Sequence, residues 1–374
     1  VTVRPYGIVV EGRLELGLEA VVEGGRILEI RPHTGIPERF VLSPGFVNAH
    51  SHLEYRGLQE VIQEREYWPW IRRLTVLKAE QDPDRVRADT LLAATENAAT
   101  GVRYVEEHSD RPYAGEALGK AGLDGVIYQE LITFFEQEEP GVKKASVERA
   151  AAQNRRHFSP VYVSPHSAYT VDEQTLRTFA EGPPFSIHVA ETPLEREFFR
   201  EGRGPIADLY AAAGFRLRTS GESVVGLLDR LGLVRPGAQF VHACDVDEEE
   251  IARLAERRVR VAHCPRSNER LGCPRCPVRR LVESGVEVGL GMDSPASSGP
   301  IDFFAEMRAA LSVSIARGEP LTPEQVWRLG TGALELSTNF ADWVAIAVEG
   351  AFCTEDLLAG GEPGLVASAV SHLA

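Results

Sequence analysis

The chain is poor in cysteine and methionine, with 5 and 2 residues in 374. So small and odd a cysteine count at this length argues against a disulfide framework. No apolar stretch approaches the roughly 18 residues needed to span a bilayer, so no membrane partner is expected. Basic residues are in deficit too: 40 Lys and Arg stand against 55 Asp and Glu, a formal net charge of −15. Gripping a phosphate backbone needs a basic face, and this balance argues against nucleic acid as a partner. The sequence opens on Val1 with no signal peptide, and the expected compartment is the cytoplasm. It holds no internal repeat and no low-complexity tract.

What is present is a regular alternation. The first 42 residues read as short strands with polar turns, such as Gly24-Gly25 between two of them. Apolar runs then recur at 45–50, 101–105, 124–128, 160–164, 185–189, 238–242, 259–263 and 286–290, eight in all. Amphipathic segments lie between them. Two carry helix start signals, Asp82-Pro83 and Asp247 followed by three glutamates. Eight strands with intervening helices predict an α/β chain, a TIM-like (β/α)8 barrel over residues 43–335. An open doubly wound sheet is the competing architecture, but no GxGxxG follows the first strand. After about Asn339 strand character returns, so head (1–42) and tail (336–374) are expected to pair into one small β domain.

In a barrel, function gathers at the C-terminal ends of the strands. Those ends read His50-Ser-His52, Ser164-Pro-His166, His188-Val-Ala-Glu191, His242, His263-Cys-Pro and Asp293-Ser294, with His108 after the second strand. Seven of the ten histidines thus fall on one rim, leaving His33, His157 and His372 as surface residues. Residues i and i+2 of a strand share a face, so His50 and His52 can grip one ion. His188 and Asp293 would add a nitrogen and a carboxylate oxygen. One divalent metal ion is expected, and both Zn²⁺ and Fe²⁺ accept such a set.

These segments resemble the amidohydrolase superfamily. The resemblance is carried by Ser43-Pro-Gly-Phe-Val-Asn-Ala-His-Ser-His-Leu-Glu54, His188-Val-Ala-Glu-Thr192, Val241-His-Ala243, His263-Cys-Pro-Arg-Ser-Asn268 and Gly291-Met-Asp-Ser294. It implies a metal-bearing barrel beside a β-sandwich made from both termini. Binuclear members carry a bridging lysine at the end of strand four. Here that end is Ser164-Pro-His166, which implies one metal and the mononuclear deaminase and chlorohydrolase branch. By resemblance, His50, His52, His188 and Asp293 hold the metal, and Asp293 accepts the proton of the attacking water. His242 steadies the tetrahedral adduct, and Glu191 protonates the ring nitrogen and shuttles a proton to departing ammonia. Glu191 read by itself fits a second role, orienting a metal histidine.

The segment from Ser164 to Thr170 resembles that of adenosine-type deaminases, where the His, here His166, meets the ribose side. Trp70 fits either a purine-stacking wall or the core. Glu54 and Glu130 fit either substrate hydroxyls or structural ion pairs, and Ser294 stands beside Asp293 as a further substrate contact. Within the branch the chain is most similar to the aminodeoxyfutalosine deaminases of menaquinone biosynthesis, which act on an adenine nucleoside carrying a benzoate. S-adenosylhomocysteine, adenosine or guanine deaminase, chlorohydrolase and cyclic amidase are the alternatives. S-adenosylhomocysteine-type members place a glutamate nine residues after the tryptophan, where this chain has Ala79 and then Glu80. A non-catalytic assembly protein should have lost ligands, and none is lost here. Cys273-Pro-Arg-Cys276 has no second pair at zinc-ribbon spacing and reads as loop packing. The tail lacks a Gly-Lys step common before the last strands, so a reduced C-terminal sandwich is expected. A homodimer is common in the family and stays open.

Overall fold

The computed structural model describes residues 1–133, 141–215, 219–351 and 353–372. Six strands come first: β1 (Thr2–Val3), β2 (Pro5–Val10), β3 (Arg13–Leu16), β4 (Leu18–Glu23), β5 (Arg26–Pro32) and β6 (Glu38–Pro44). Gly24 and Gly25 take φ of 57° and 77°, the left-handed pair that a two-residue hairpin between β4 and β5 requires.

Eight strands follow in the middle of the chain. They are β7 (Phe46–Ser51), β8 (Val102–Ser109), β9 (Asp124–Leu131), β10 (Val161–Pro165), β11 (Phe185–Val189), β12 (Ala238–His242), β13 (Arg260–His263) and β14 (Val288–Leu290). Each apolar run of the sequence forms one of them. Strands β8 and β9 run on past their apolar segments. In β8 the extension is polar yet buried: Glu106 pairs with Arg260, and Glu107 accepts the Leu53 N–H at 3.0 Å. A hydrophobic pattern does not register such partners.

Strands β7 to β10 form one parallel four-stranded sheet and β11 to β14 another, each in chain order. Parallel bridges Ser167–His188 and Ser51–Asp293 link the two sheets at both pairs of edges. All eight strands therefore point the same way, and their C-terminal ends share one rim. Helices fill the connections. Asp82 caps α1 (Pro83–Ala99) through the Arg85 N–H, and Asp247 and Glu250 form a capping box on the helix Glu248–Glu256. The core against the sheets includes Phe46, stacked on Phe303 at 4.9 Å and edge-on to Phe304 and Trp327.

The tail supplies β15 (Trp343–Ala347) and β16 (Val366–Ser368). β15 pairs antiparallel with β6, from Trp343 opposite Pro44 to Ala347 opposite Phe40. Head and tail thus share a five-stranded sheet, β16-β15-β6-β2-β3, with β1-β4-β5 as a second sheet. Ile8, Val22, Phe40, Leu42, Phe340 and Trp343 form their common apolar cluster. No helix among the described residues is long and apolar enough to cross a membrane.

Phe46 opens the strand that carries His50 and is fully buried. Phe46→Ala is expected to destabilise the protein by about 3–5 kcal/mol, read from the urea midpoint. A loss below about 1 kcal/mol would show that the aromatic cluster does not anchor this strand.

Candidate metal and active site

His50 and His52 leave the end of β7 on one face, and both are buried. The Asp293 N–H donates to the His50 carbonyl at 2.9 Å and the His52 N–H to the Asp293 carbonyl at 3.3 Å. The seam between the last strand and the first therefore sets their spacing. Asp293 Oδ1 lies 3.7 Å from His50 Nε2 and 3.8 Å from His52 Nε2, and His52 Nε2 lies 3.4 Å from His188 Nε2. Ala190, His242, Ala243 and Asp293 all adopt left-handed φ, between 47° and 76°. Non-glycine residues take that conformation at an energetic cost, and here it is concentrated where the strands end.

The histidines' second nitrogens are engaged behind them. His52 Nδ1 donates to the His108 carbonyl and His188 Nδ1 to the His166 carbonyl, each at 2.9 Å. A carbonyl only accepts, so both rings turn an Nε2 lone pair inward. Burial holds His52, His188 and His242 down at about 4 and His50 also well below the usual histidine range. Neutral imidazole is the ligating form.

Asp293 behaves oppositely. Burial alone would raise it, but His50, 3.7 Å away, and the imidazoles of His52 and His242 hold it well below the usual carboxylate range. Its Oδ2 accepts from Ser267 Oγ at 2.6 Å and Ser297 Oγ at 3.1 Å. His50 Nε2 is buried and has no hydrogen-bond partner among the described residues. Two nitrogens and a carboxylate oxygen, from His50, His52 and Asp293, lie close enough together to hold a divalent ion. His50, His188 and His242 form a second such grouping, and His52, Glu130 and His188 a third.

Glu191 stands across from this cluster, with Oε2 3.6 Å from His242 Nε2. Its backbone N–H and that of Ala190 donate to Glu195, at 2.9 and 3.1 Å, which pins the exit from β11. Burial first, and then the charge of Asp293, push Glu191 well above the usual carboxylate range. His242 Nδ1 faces Asn268 Nδ2 at 3.0 Å.

A cavity of about 660 Å³ opens onto these groups and is lined by His52, His166, His188, Glu191, His242, Asp293 and Ser294 at its inner end. Trp70 also lines it while its indole N–H reaches the Ala296 carbonyl at 3.4 Å. Glu130 lines it 3.7 Å from His188 Nδ1, raised to about 8 by burial. Glu54 does not line it. Its carboxylate accepts from Ser109 Oγ and from the backbone N–H groups of Asp110 and Arg111, because the turn after β7 aims it at the end of β8.

The sequence reading gave no role to His108, Ser267, Asn268, Ser297 or Glu195. Ser267 and Asn268 lie in the quoted His263-to-Asn268 segment, whose spacing was the available signal. Cys273 and Cys276 line a separate cavity of about 310 Å³ beside His263. All five cysteines are free, and burial raises both thiols of this pair, Cys276 to about 12.

A rim of buried imidazoles, with one carboxyl held below and one pushed above the usual range, suits a metal-dependent hydrolase. The chain belongs to the amidohydrolase family, whose pattern matches residues 41–332, and it is an enzyme of that family. It is 31% identical over 350 residues to a 5'-deoxyadenosine deaminase of Methanothrix thermoacetophila, covering 88% of this chain and 79% of the other. It is 32% identical over 334 residues to an aminodeoxyfutalosine deaminase of Deinococcus radiodurans, covering 82% and 76%. Its fold is shared with an adenosine deaminase from Xanthomonas campestris solved with bound zinc. There the TM-score is 0.80 at 23% identity, over 98% of this chain and 90% of that one.

His52→Ala and Asp293→Ala are each expected to lose the bound divalent metal, measured by elemental analysis after gel filtration. Wild-type metal content in either variant would remove that residue from the ligand set.

Proposed function

We propose that this protein is a mononuclear metal-dependent deaminase of a 6-aminopurine nucleoside, built as a (β/α)8 barrel at residues 43–335. Residues 1–42 and 336–374 make its β-sandwich. The observation that carries the reading is geometric: Asp293 Oδ1 lies 3.7 and 3.8 Å from the Nε2 atoms of His50 and His52, and Glu191 stands on the same rim with Oε2 3.6 Å from His242 Nε2. Their surroundings push the two carboxyls in opposite directions, Asp293 down and Glu191 up, which suits a division into base and acid.

His50, His52, His188 and Asp293 would hold a Zn²⁺ or Fe²⁺ ion, which when bound would supply the Lewis acidity that brings the pKa of water toward neutrality. Asp293 accepts the proton of the water that adds to C6 of the purine. Glu191 donates its proton to N1, so the ring gains a C–O bond and an N–H bond without building up charge. His242, backed by Asn268, donates from Nε2 to the oxygen of the adduct. Glu191 then relays the proton from Asp293 to the departing amine, the C6–N bond breaks and ammonia leaves; the hydroxyl of the adduct gives its proton to Glu191 as the carbonyl forms, which restores both carboxyls to their starting states. No lysine stands at the end of β10, where His166 follows Pro165, in keeping with one metal.

The cavity's outer end favours a particular substrate, aminodeoxyfutalosine, whose 5' side carries a benzoate. Helix α1 is preceded by the helix Tyr67–Glu80, which presents Trp68, Ile71, Arg72, Thr75, Lys78 and Ala79 to the cavity. Arg72 has no ion-pair partner among the described residues, whereas Arg111, which also lines the cavity, pairs with Asp110 at 3.3 Å. A cation on the cavity wall suits a nucleoside with an anionic tail. Ala79 lines the cavity and Glu80 does not, so the helix offers no glutamate for a ribose there. The product would serve menaquinone biosynthesis in the cytoplasm. The similarity to the 5'-deoxyadenosine deaminase favours a second reading, an uncharged 5' end.

The test is ammonia release together with the adenine-to-hypoxanthine absorbance change for aminodeoxyfutalosine, 5'-deoxyadenosine, S-adenosylhomocysteine and guanine. Glu191→Gln is expected to keep its metal and lose about 10²–10⁴-fold in kcat. Arg72→Met is expected to raise KM for aminodeoxyfutalosine about tenfold and leave that for 5'-deoxyadenosine unchanged. Silence on every adenine substrate sinks the nucleoside reading, and equal turnover of all of them sinks the anionic tail.

A further inference from the structure

Four carboxyls line the cavity, and three of them are already engaged: Asp293 beside the ligand histidines, Glu191 beside His242, and Asp110 in an ion pair with Lys78 at 2.6 Å. Glu130 is the fourth. We infer that Glu130 is a specificity-determining residue for the sugar, its carboxyl meeting the 2'- and 3'-hydroxyls of a ribose. The inference rests on the reading of the substrate as an adenine nucleoside and deepens it. The enzyme then favours ribonucleosides over their deoxy counterparts, whatever the 5' end carries.

Glu130 stands just before the last residue of β9 and is only 3% exposed. Buried acids elsewhere in this protein have partners. Glu107 accepts the Leu53 N–H, Glu195 the N–H groups of Ala190 and Glu191, and Glu306 the Arg266 N–H, while Glu106 meets Arg260. Glu130 Oε1 is buried without a hydrogen-bond partner, and no lysine or arginine among the described residues pairs with its carboxyl. Its neighbour is His188 Nδ1 at 3.7 Å, and that nitrogen already meets the His166 carbonyl at 2.9 Å. Holding a carboxyl out of water with no partner costs folding energy, and a ligand that supplies the missing bonds gives the group a reason to be there.

Position selects the sugar. Glu191 leaves β11 and His242 ends β12, whereas Glu130 belongs to β9 and lies opposite Ser164, two residues before His166. His188 stands between the two groups, 3.7 Å from Glu130 and with its ring centroid 5.5 Å from that of His242. N1 and N9 lie on opposite edges of a purine, so a base whose N1 meets Glu191 turns its sugar toward β9. A carboxyl presents two oxygens side by side, and the vicinal hydroxyls of a ribose match that pair. Each hydroxyl both donates and accepts, so the contact needs no particular charge on Glu130. The helix Tyr67–Glu80 offers no competing acid, since Ala79 lines the cavity and Glu80 does not.

The test compares 5'-deoxyadenosine with 2',5'-dideoxyadenosine and 3',5'-dideoxyadenosine, in the zinc-loaded wild type and in Glu130→Met. Wild type is expected to lose about 10–100-fold in kcat/KM when either hydroxyl is removed. In Glu130→Met the value for 5'-deoxyadenosine is expected to fall by a similar factor, and those for the dideoxy nucleosides to change less than about threefold. A residue that only supported the fold would lower all three alike. Turnover of either dideoxy nucleoside by wild type as fast as 5'-deoxyadenosine overturns the proposal, as does a uniform loss in the variant. Zinc content is measured alongside, and its loss from a folded Glu130→Met assigns the carboxyl to the metal and overturns the sugar contact. Should the variant not fold, or wild type not turn over 5'-deoxyadenosine, a crystal structure of zinc-loaded Glu191→Gln decides. Its ligand is aminodeoxyfutalosine or 5'-deoxyadenosine, whichever wild type turns over. Ribose hydroxyls bonded to the Glu130 carboxyl support the proposal, and hydroxyls bonded elsewhere overturn it. The two levels fail separately: silence of wild type on every adenine nucleoside ends the nucleoside reading, whereas turnover without dependence on Glu130 ends only the role of that carboxyl.

Discussion

The Asp293 N–H bonds the His50 carbonyl, and the His52 N–H bonds the Asp293 carbonyl, so the last strand of the eight is tied to the first by the residues that gather at the site. Those two hydrogen bonds join the edges of separate four-stranded sheets. They also carry Asp293 Oδ1 to within 3.8 Å of two imidazole nitrogens. Architecture and chemistry share one constraint there: a shift of the seam would break both the strand pairing and the donor set.

Burial then sorts the protonation states. The same loss of water that lowers four imidazoles also raises Glu191, whereas Asp293 is held below the usual carboxylate range by the imidazoles of His50, His52 and His242 around it. Such a cluster costs folding energy when empty of positive charge. Binding a cation offsets that cost, which couples metal binding to stability. The left-handed backbone at Ala190, His242, Ala243 and Asp293 belongs to the same balance, strain held by the surrounding strands so that side chains turn inward.

Much of the arrangement could be read from local pattern. Eight apolar runs became eight strands because parallel strands covered on both faces need continuous apolar segments. His50-Ser-His52 placed two rings on one face by the period of two alone. The helix starts at Asp82 and Asp247 were legible because a cap is a contact between residues three apart. The end of β8 was not, since Glu106 and Glu107 pair along the backbone with Val126 and Ile127, and their buried carboxylates are met by Arg260 and the Leu53 N–H, partners distant in the chain.

The sequence by itself determined the strand rhythm, the pairing of head with tail as an expectation, and the set of residue types able to hold a metal and move protons. These follow from periodicity and chemistry, both local. Tertiary structure decided which of those residues meet. It brought Glu130 to the cavity wall and turned Glu54 away from it, although both are glutamates near strand ends. It set His108 against His50, and Ser267 and Ser297 against Asp293. Such contacts arise only when strands far apart in sequence are brought side by side, and spacing along one strand carries no information about them.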